Sequence, residues 1–314
     1  MNRREGILCY VLVACSLMGA LIVRAAESRS GDWTIQHAEQ AGEVLLSLME
    51  RHHGSDSSHE GNIRLSELKG LDVSKPGKQD VHFTIVRDAG HFDCEGFLKD
   101  GEGAGVFHFT AEPRYAEDMK ALGFDDIDSD KQFSMAVLDV RLGFAKEMRA
   151  EHLEGLDTSK LIAFRIFNVN VSFIEQLRKE GLKIADSGKL VAFRIHGVTP
   201  EMVHTLHEMG YSPNEDDLVT MRIHGATPEF VEKLKQLGYD KVELQDLIAF
   251  RIHGVSPEFI EKMQSLGYKH PEPEQLVAMR IHNVTPEFVS GLQARGMKDL
   301  SVDQLVSLRI HGID

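Results

Sequence analysis

The chain has 314 residues, of which 42% are hydrophobic and 27% charged, and it carries a formal net charge of −14. This composition is typical of a folded protein and excludes a disordered chain or a membrane protein with many spans. The acidic balance argues against nucleic acid, and against an anionic membrane surface, as the main partner.

The N-terminal segment, residues 1–25, is predicted to be a secretory signal. Arg3 and Arg4 give it a basic start, and residues 7–23 are largely apolar. This order is typical of a segment that is removed on export. Two alternatives stay open, namely an uncleaved membrane anchor and a lipid anchor on Cys15. We therefore expect an exported protein, periplasmic or extracellular, or one that is anchored in a membrane and faces the periplasm.

Residues 26–109 are predicted to form a small antiparallel β domain. Four segments carry the strand pattern, namely residues 42–50, 80–86, 92–98 and 106–109. Gly- and Asp-rich turns separate the last three segments, which is typical of hairpins. The turn before the last of them is expected to span residues 100–105. We expect five or six strands in total, with residues 51–61 as a loop.

From residue 110 onward a fixed period dominates the sequence. The tetrapeptide Arg-Ile-His-Gly, or a close variant, begins at Arg165, Arg194, Arg222, Arg251, Arg280 and Arg309. The period is therefore 29 residues, with one step of 28. Such a period indicates stacked structural units rather than a single globular core. Aligning backwards predicts about seven units over residues 110–314, the first two of them degenerate.

Each unit is predicted to contain two helices, and the unit that begins at Thr227 shows the first one clearly. Thr227 suits the N-cap and Pro228 suits the first helical position. Apolar residues at helical spacing then line one face, while Lys233 and Gln236 lie on the outward face. Gly238 ends this helix.

The second helix of the same unit, around residues 247–253, is apolar nearly all round. It is therefore expected to be the buried helix of the pair. The slot that ends it holds only Gly or Asn, at Asn168, Gly197, Gly225, Gly254, Asn283 and Gly312. These two residue types tolerate the left-handed conformation that closes a helix.

The expected fold class is α+β, with a small antiparallel β domain followed by a solenoid of α-helical hairpins. A leucine-rich-repeat-like α/β solenoid is the alternative. Residues 247–252 also resemble the strand signature of that repeat, and a period of 29 residues fits its longer class.

The recurring histidines at 196, 224, 253, 282 and 311 raise the question of a metal site. Equivalent positions in stacked helices lie about 8–10 Å apart, whereas ligands of one ion lie within about 2.1 Å of it. We interpret the histidines and arginines instead as groups that suit the negative end of a helix. The arginines are also expected to pair with a matching glutamate column, at Glu201, Glu229, Glu258 and Glu287.

No catalytic, cofactor-binding or metal-binding residues are predicted. An acidic, histidine-rich set lies in the expected loop, at His52, His53, Asp56, His59 and Glu60, where a solvated loop is favoured over a metal site. Cys94 is the single cysteine beyond residue 25, which leaves no internal disulfide. It is expected to be a packed thiol.

Residues 247–259, together with residues 92–97 and 101–105, carry a family resemblance. They resemble the β region and repeats in the extracytoplasmic C-terminal parts of some bacterial membrane metallopeptidases, of the beta-lactam-sensor and antirepressor class. The resemblance covers most of residues 80–314. The chain lacks the His-Glu-x-x-His motif and the multi-span part of that family. The resemblance therefore implies an exported accessory region without peptidase activity.

Together these features predict a non-enzymatic, exported scaffold that binds a protein or peptide, with Lys233 and Gln236 as candidate binding residues. A sensor or regulatory accessory of a membrane signalling or peptidase system is one alternative. A hydrolase with an unrecognised site, around His82, His91 and His108, is the other.

Overall fold

The computed structural model of the protein describes residues 28–52 and 55–313. Within these ranges, seven antiparallel strands form one curled sheet, a half-barrel, and fourteen helices follow it. The predicted class, a β region followed by a helical solenoid, is confirmed. The predicted signal lies outside the described residues. Inside them, no helix is long and apolar enough to cross a membrane.

The sheet has the strand order β3-β2-β1-β7-β6-β5-β4, so the first and last long strands meet at its centre. The strands are β1 (Ser28–His37), β2 (Glu43–His52), β3 (Ser55–Arg64), β4 (Leu68–Lys69), β5 (Lys78–Arg87), β6 (Gly90–Lys99) and β7 (Glu102–Ala111). A short 3-10 turn, Leu65–Glu67, precedes β4.

The expected loop over residues 51–61 is wrong, because its described part is strand. Residues 51–52 end β2 and residues 55–61 begin β3, with Leu48 paired to His59 and Leu46 paired to Gly61. β3 lies at the edge of the sheet, where polar side chains are tolerated because one side of the strand faces solvent. Its sequence therefore lacks the apolar alternation that marks the inner strands.

The inner face of the sheet is organised around Trp33, which is fully buried. Gly96 and Gly105 are cross-strand partners on β6 and β7. A Cβ atom on either glycine would lie within 2.8 Å of the Trp33 ring. The turn between these strands is shorter than expected: Asp100 and Gly101 have φ of 53° and 89°, as a two-residue hairpin requires. The later glycines lie within β7.

The helices form seven consecutive pairs in the described chain. They are α1 (Tyr115–Ala121), α2 (Ser129–Val137), α3 (Leu142–Ala150), α4 (Thr158–Ile166), α5 (Val171–Lys179), α6 (Ser187–His196), α7 (Pro200–Glu208), α8 (Glu215–His224), α9 (Pro228–Gln236), α10 (Leu244–His253), α11 (Pro257–Ser265), α12 (Pro273–Ile281), α13 (Pro286–Ala294) and α14 (Val302–Ile310). Residues 247–253 lie in α10, so the leucine-rich-repeat alternative is wrong.

The pairs stack into two layers. Odd-numbered helices contact odd-numbered neighbours and even-numbered helices contact even-numbered neighbours. At the start of the stack, α2 packs on β6 and β7. Its Phe133 ring lies 5.2 Å from Phe109 and 5.9 Å from Phe92, measured between ring centroids. The sheet thus covers the N-terminal end of the helix stack, and the sheet and the first helices share one aromatic core.

The predicted helix ends are confirmed in the backbone. All six residues of the Gly/Asn slot have φ between 54° and 74°. Thr227 accepts a hydrogen bond from the Phe230 amide, as the N-cap interpretation requires. The first helices also end in left-handed residues, and His152 holds that position with φ 54° where the other units have glycine.

Candidate binding surface

The arginine of the repeated tetrapeptide links neighbouring units. In four of the six units its Nε donates to a carbonyl oxygen at the end of the preceding second helix, as in Arg222 to His196 at 2.9 Å and Arg251 to His224 at 3.2 Å. The buried Nε atoms of Arg194 and Arg280 make no such bond. Arg165 and Arg309 make the corresponding bonds to Leu138 and Asn283. Helix ends leave carbonyl groups without partners inside the helix, so these bonds satisfy them.

Most of these arginines also stack on a phenylalanine of their own unit. The Arg194 guanidinium lies 3.7 Å from the Phe173 ring centroid, and Arg251 lies 4.9 Å from Phe230. Such cation–π contacts contribute about 0.5–1 kcal/mol at exposed sites. The arginine column is therefore explained by the packing of the units.

The expected pairing of the arginine and glutamate columns is present only as an attraction between charges. The charge of Arg222, for example, helps the hydrogen bonds at that helix start to lower the pKa of Glu229, but the two side chains form no ion pair. In the described chain, no ion pair joins Arg194, Arg222, Arg251 or Arg280 to Glu201, Glu229, Glu258 or Glu287. The arginines point towards the preceding unit instead. Hydrogen bonds from the Thr227 hydroxyl and from its own backbone amide lower the pKa of Glu229, so this carboxylate completes the start of its own helix.

The residue after each arginine forms a column that packing does not explain. Six isoleucines occupy it and are between 51% and 59% exposed, namely Ile166, Ile195, Ile223, Ile252, Ile281 and Ile310. We call these six residues the isoleucine column. They lie at or next to the C-terminal ends of the even-numbered helices. The expectation that the second helix is the buried one of the pair is therefore wrong, because one of its faces lies towards solvent.

Small and apolar residues continue the column along each helix. The position three residues earlier shares the same helix face. It holds Ala163, Ala192, Thr220, Ala249 and Ala278, all partly buried, and the exposed Ser307. Histidines follow the isoleucines in five units, and Phe167 takes that place in the first. The result is an apolar stripe bordered by imidazoles on one side.

Acidic and polar residues border the other side of the stripe. Two helical turns before the isoleucines lie the exposed residues Asp216, Gln245, Glu274 and Asp303. Asp216 pairs with Lys189 of the preceding unit. Burial, together with the neighbouring charges of Glu274 and Glu243, raises the pKa of Asp246.

The predicted binding residues Lys233 and Gln236 are exposed on α9, as the sequence indicated. They belong to the layer of odd-numbered helices. The isoleucine column belongs to the other layer, so the two sets mark different surfaces. Sequence reasoning missed the column because an isoleucine next to buried residues was counted as core. One sequence signal could have revealed the column. An isoleucine stands at the same position of every clear repeat, between an arginine and a histidine that were both given structural roles.

A separate feature is a cleft of about 890 Å³ between the sheet and helices α2 to α4. Asp139, one of its lining residues, lies 2.7 Å from Arg141 and 3.5 Å from Arg87. Arg87 also pairs with Glu67 at 2.7 Å. Since these arginines already have carboxylate partners, the cleft is better described as a junction between sheet and helices than as a free anion site.

The other candidate residues are not brought together. His82, His91 and His108 lie on three adjacent strands and share one face of the sheet, but none is the direct cross-strand partner of another. No group of three potential metal ligands occurs in the described residues. Of the acidic, histidine-rich set, His53 lies outside those residues, as do the side chains of His52 and Asp56. Burial raises the pKa of Cys94 to about 12, in agreement with a packed thiol.

Comparisons with protein families, curated proteins and solved structures found no match to this chain. The resemblance to metallopeptidase repeat regions therefore stays a prediction. The candidate surface rests on the geometry of the isoleucine column alone.

Proposed function

We propose that this protein is a non-enzymatic scaffold that binds a protein or peptide along the isoleucine column. The observation that carries the proposal is the column itself, six half-exposed isoleucines at one position of six consecutive units. The neighbouring positions of the tetrapeptide have structural roles, since Arg donates to a helix end or stacks on a phenylalanine and Gly or Asn takes the left-handed conformation. The isoleucine has no comparable role within the chain.

Energetics favour a partner that covers several units together. Full burial of an isoleucine stabilises by about 1.5–3 kcal/mol, so covering a half-exposed one adds about 1 kcal/mol. Association itself costs an estimated 4 kcal/mol or more. One isoleucine is therefore too weak to hold a partner, whereas several in a row suffice. An extended stack of units is suited to this task.

The test compares two surfaces of one fold. The variant Ile223→Ser/Ile252→Ser/Ile281→Ser removes the centre of the column, and the control Lys233→Ser/Lys235→Ser/Gln236→Ser changes the opposite layer. Partners are captured from extracts of producing cells, identified, and their Kd values are then measured with purified protein. We expect the isoleucine variant to lose binding at least tenfold while its thermal unfolding and circular dichroism stay unchanged. Loss only in the control variant would move the site to the odd-numbered helices and overturn this proposal.

The resemblance to metallopeptidase repeat regions supports a second candidate, a regulatory accessory of a membrane signalling system. It would use the same surface on a membrane-bound partner. Capture of such a partner by the wild-type protein, and its loss in the isoleucine variant, would favour this role over a general scaffold.

A further inference from the structure

We propose that the cleft between the sheet and helices α2 to α4 binds an uncharged ligand rich in hydroxyl groups, namely a short saccharide. The cleft is separate from the isoleucine column, and the inference does not depend on the proposed function. It follows from three features of the cleft, which are two departures from the repeat, a balance of charges and apolar walls.

Two residues of the cleft depart from the pattern of the later units. Asp139 lies 29 residues before Asn168, in the slot that holds only Gly or Asn in the six later copies. Arg141 occupies the N-cap of α3, but its side chain makes no capping hydrogen bond. Asn, Thr or Ser makes that bond at the start of every later odd-numbered helix. The cleft therefore carries charged side chains where the repeat calls for small or capping ones.

The junction with the sheet does not explain the arginine. The sheet supplies the missing cap, because the Leu142 amide donates to the Asp88 carboxylate at 2.9 Å. Residue 141 is thereby released from the capping role. The Arg141 guanidinium pairs with Asp139, only two residues earlier in the same loop, and its side chain is 52% exposed at the cleft. This pair does not link the sheet to the helices, so Arg141 is available to a ligand.

The charges that line the cleft nearly cancel. Four arginines and five carboxylates contribute, so their formal charges add to −1. Glu67 accepts from Arg64 at 3.0 Å and from Arg87 at 2.7 Å, and Asp139 faces Arg87 and Arg141. A charged ligand would have to replace these existing pairs and would lose its own hydration. The lining therefore favours an uncharged ligand.

Paired charged groups still offer hydrogen bonds to such a ligand. A guanidinium has five N–H donors and a carboxylate has about four acceptor positions, of which one ion pair uses only a part. A hydroxyl group both donates and accepts, so it fits between a carboxylate and a guanidinium that remain paired. The exposed amides of Asn62 and Asn168 also combine donors with an acceptor. A ligand with several hydroxyl groups matches this lining.

Apolar side chains form the walls of the cleft. On the sheet side, Leu48 and Ile63 remain 5% and 8% exposed. On the helix side the Phe144 ring stays partly exposed, whereas Phe173 and Phe230 at the same position of later units are 4% and 6% exposed. The C–H faces of a sugar ring pack on such walls. The volume of about 890 Å³ lies within the range of about 300–1,000 Å³ that is typical of small-molecule sites.

Uncharged oligosaccharides test this inference on the purified protein. The probes are maltotetraose, cellotetraose and chitotetraose, and the anionic tetragalacturonate serves for comparison. Binding is measured by isothermal titration calorimetry at low and high salt. We expect at least one uncharged probe to bind at least tenfold more tightly than the anionic probe. Added salt should leave its binding nearly unchanged, because the ligand carries no charge.

Variants locate the site. Arg141→Ser restores a residue type that caps the later units, so it removes the guanidinium without removing a helix cap. We expect it to weaken the bound oligosaccharide at least tenfold while thermal unfolding stays unchanged. Phe144→Leu keeps an apolar side chain but removes the ring, and it should also weaken binding. Lys146→Ser changes an exposed residue of the same helix outside the cleft and should leave binding unchanged.

The contrary results are equally definite. Failure of all three uncharged probes to bind overturns the inference, and so does tighter binding of the anionic probe. Binding that ignores both cleft variants places the saccharide elsewhere and also overturns it. The variant Ile252→Ser/Ile281→Ser should bind the saccharide as the wild type does. Loss of binding in that variant would assign the saccharide to the isoleucine column instead of the cleft.

Discussion

At the scale of single residues, the close approach of Trp33 to two glycines organises the inner face of the sheet. The Trp33 Nε1 donates to the Glu95 carbonyl oxygen at 3.2 Å. To reach it, the ring lies over Gly96 and Gly105, where no side chain fits. The glycines of β6 and β7 are therefore explained by packing, and the Gly-rich stretch before β7 has no need of a phosphate ligand.

We expect Gly105→Ala to destabilise the protein by about 1–3 kcal/mol, the usual cost of overpacking a core. Its Cβ would lie 2.0 Å from the Glu95 oxygen and 2.7 Å from Trp33 Nε1. Gly61→Ala is the control, because its Cβ has no neighbouring atom within 4 Å. Urea unfolding checks both variants. Equal stability of the two would show that the sheet relaxes freely around Trp33.

Some of these residue roles could be predicted from the sequence and others could not. Gly254 and Asn283 were identified as helix ends because the same slot accepts only the two residue types that tolerate positive φ. His152 and Asp139 adopt the same conformation with φ of 54° and 53°. Composition marks these two positions less clearly, because Asp and His adopt positive φ less often than Gly does.

At the scale of helices, each unit closes the helix ends of the unit before it. The second helices use four arginines of the arginine column. The first helices use glutamine in two units, where Gln264 donates to the Leu237 carbonyl at 3.0 Å and Gln293 to Leu266 at 2.9 Å. A third link comes from tyrosine, since the Tyr239 hydroxyl donates to the Pro271 carbonyl at 2.9 Å. Hydrogen bonds between units thus add to apolar packing in stabilising the stack.

We expect Arg222→Met to lower the free energy of unfolding by about 1–2 kcal/mol, because the His196 carbonyl loses a charged donor. No ring stacking complicates the result in this unit, where Met202 replaces the usual phenylalanine. Lys235→Met, an exposed change on α9, serves as the control and should stay within about 0.5 kcal/mol of the wild type. If Arg222→Met is equally neutral, water satisfies the helix end as well as arginine does.

The helices could be predicted from the sequence because caps and apolar spacing agree in every clear unit. β3 could not, since an edge strand needs no apolar alternation. The isoleucine column could not either. Ile252 and Ile248 lie four residues apart in one helix, yet Ile248 is 5% exposed and Ile252 is 51% exposed. The stacking of the helices, which the sequence does not show, decides which of the two isoleucines the next unit covers.

At the scale of the whole molecule, charged groups join the sheet to the helices. Glu67 precedes β4 and pairs with Arg87 of β5, which also faces Asp139 at the end of α2. Burial alone would raise the pKa of Glu67, but hydrogen bonds from Arg64 and Arg87 outweigh it and hold the pKa below 4.5. Glu67 therefore stabilises the folded state in its ionised form.

This depressed pKa makes the junction sensitive to acid. The stabilisation from Glu67 is fully present above pH 4.5, its ordinary pKa, and is lost as the pH falls through the lower folded-state pKa. We expect Glu67→Gln to be less stable than the wild type by on the order of 1 kcal/mol at neutral pH. The difference should shrink below pH 4.5 in urea unfolding measured across the acid range. A difference that does not depend on pH would assign the effect to packing.

The same junction determines whether the chain unfolds as one unit. Stacked units interact mainly with their neighbours, so a stack can unfold in parts. Here Phe133, which is 3% exposed, ties α2 to the aromatic face of the sheet. We expect Phe133→Ala to cost about 3–5 kcal/mol at this interface. The fluorescence of Trp33, the only tryptophan, should then change at a lower urea concentration than the circular dichroism of the helices. For the wild type we expect coincident transitions.

Phe250→Ala provides the matched control, because it makes the same deletion at a fully buried position in the middle of the stack. At that position the deleted ring removes packing energy from the interfaces between units. The circular dichroism transition of the helices should therefore shift to lower urea more than the Trp33 fluorescence transition does. If fluorescence changes first in Phe133→Ala and circular dichroism changes first in Phe250→Ala, the contact that makes sheet and helices unfold together lies at α2. Coincident transitions in both would instead mean that interactions along the whole stack make the sheet and helices unfold together, and that Phe133 has no special part in joining them.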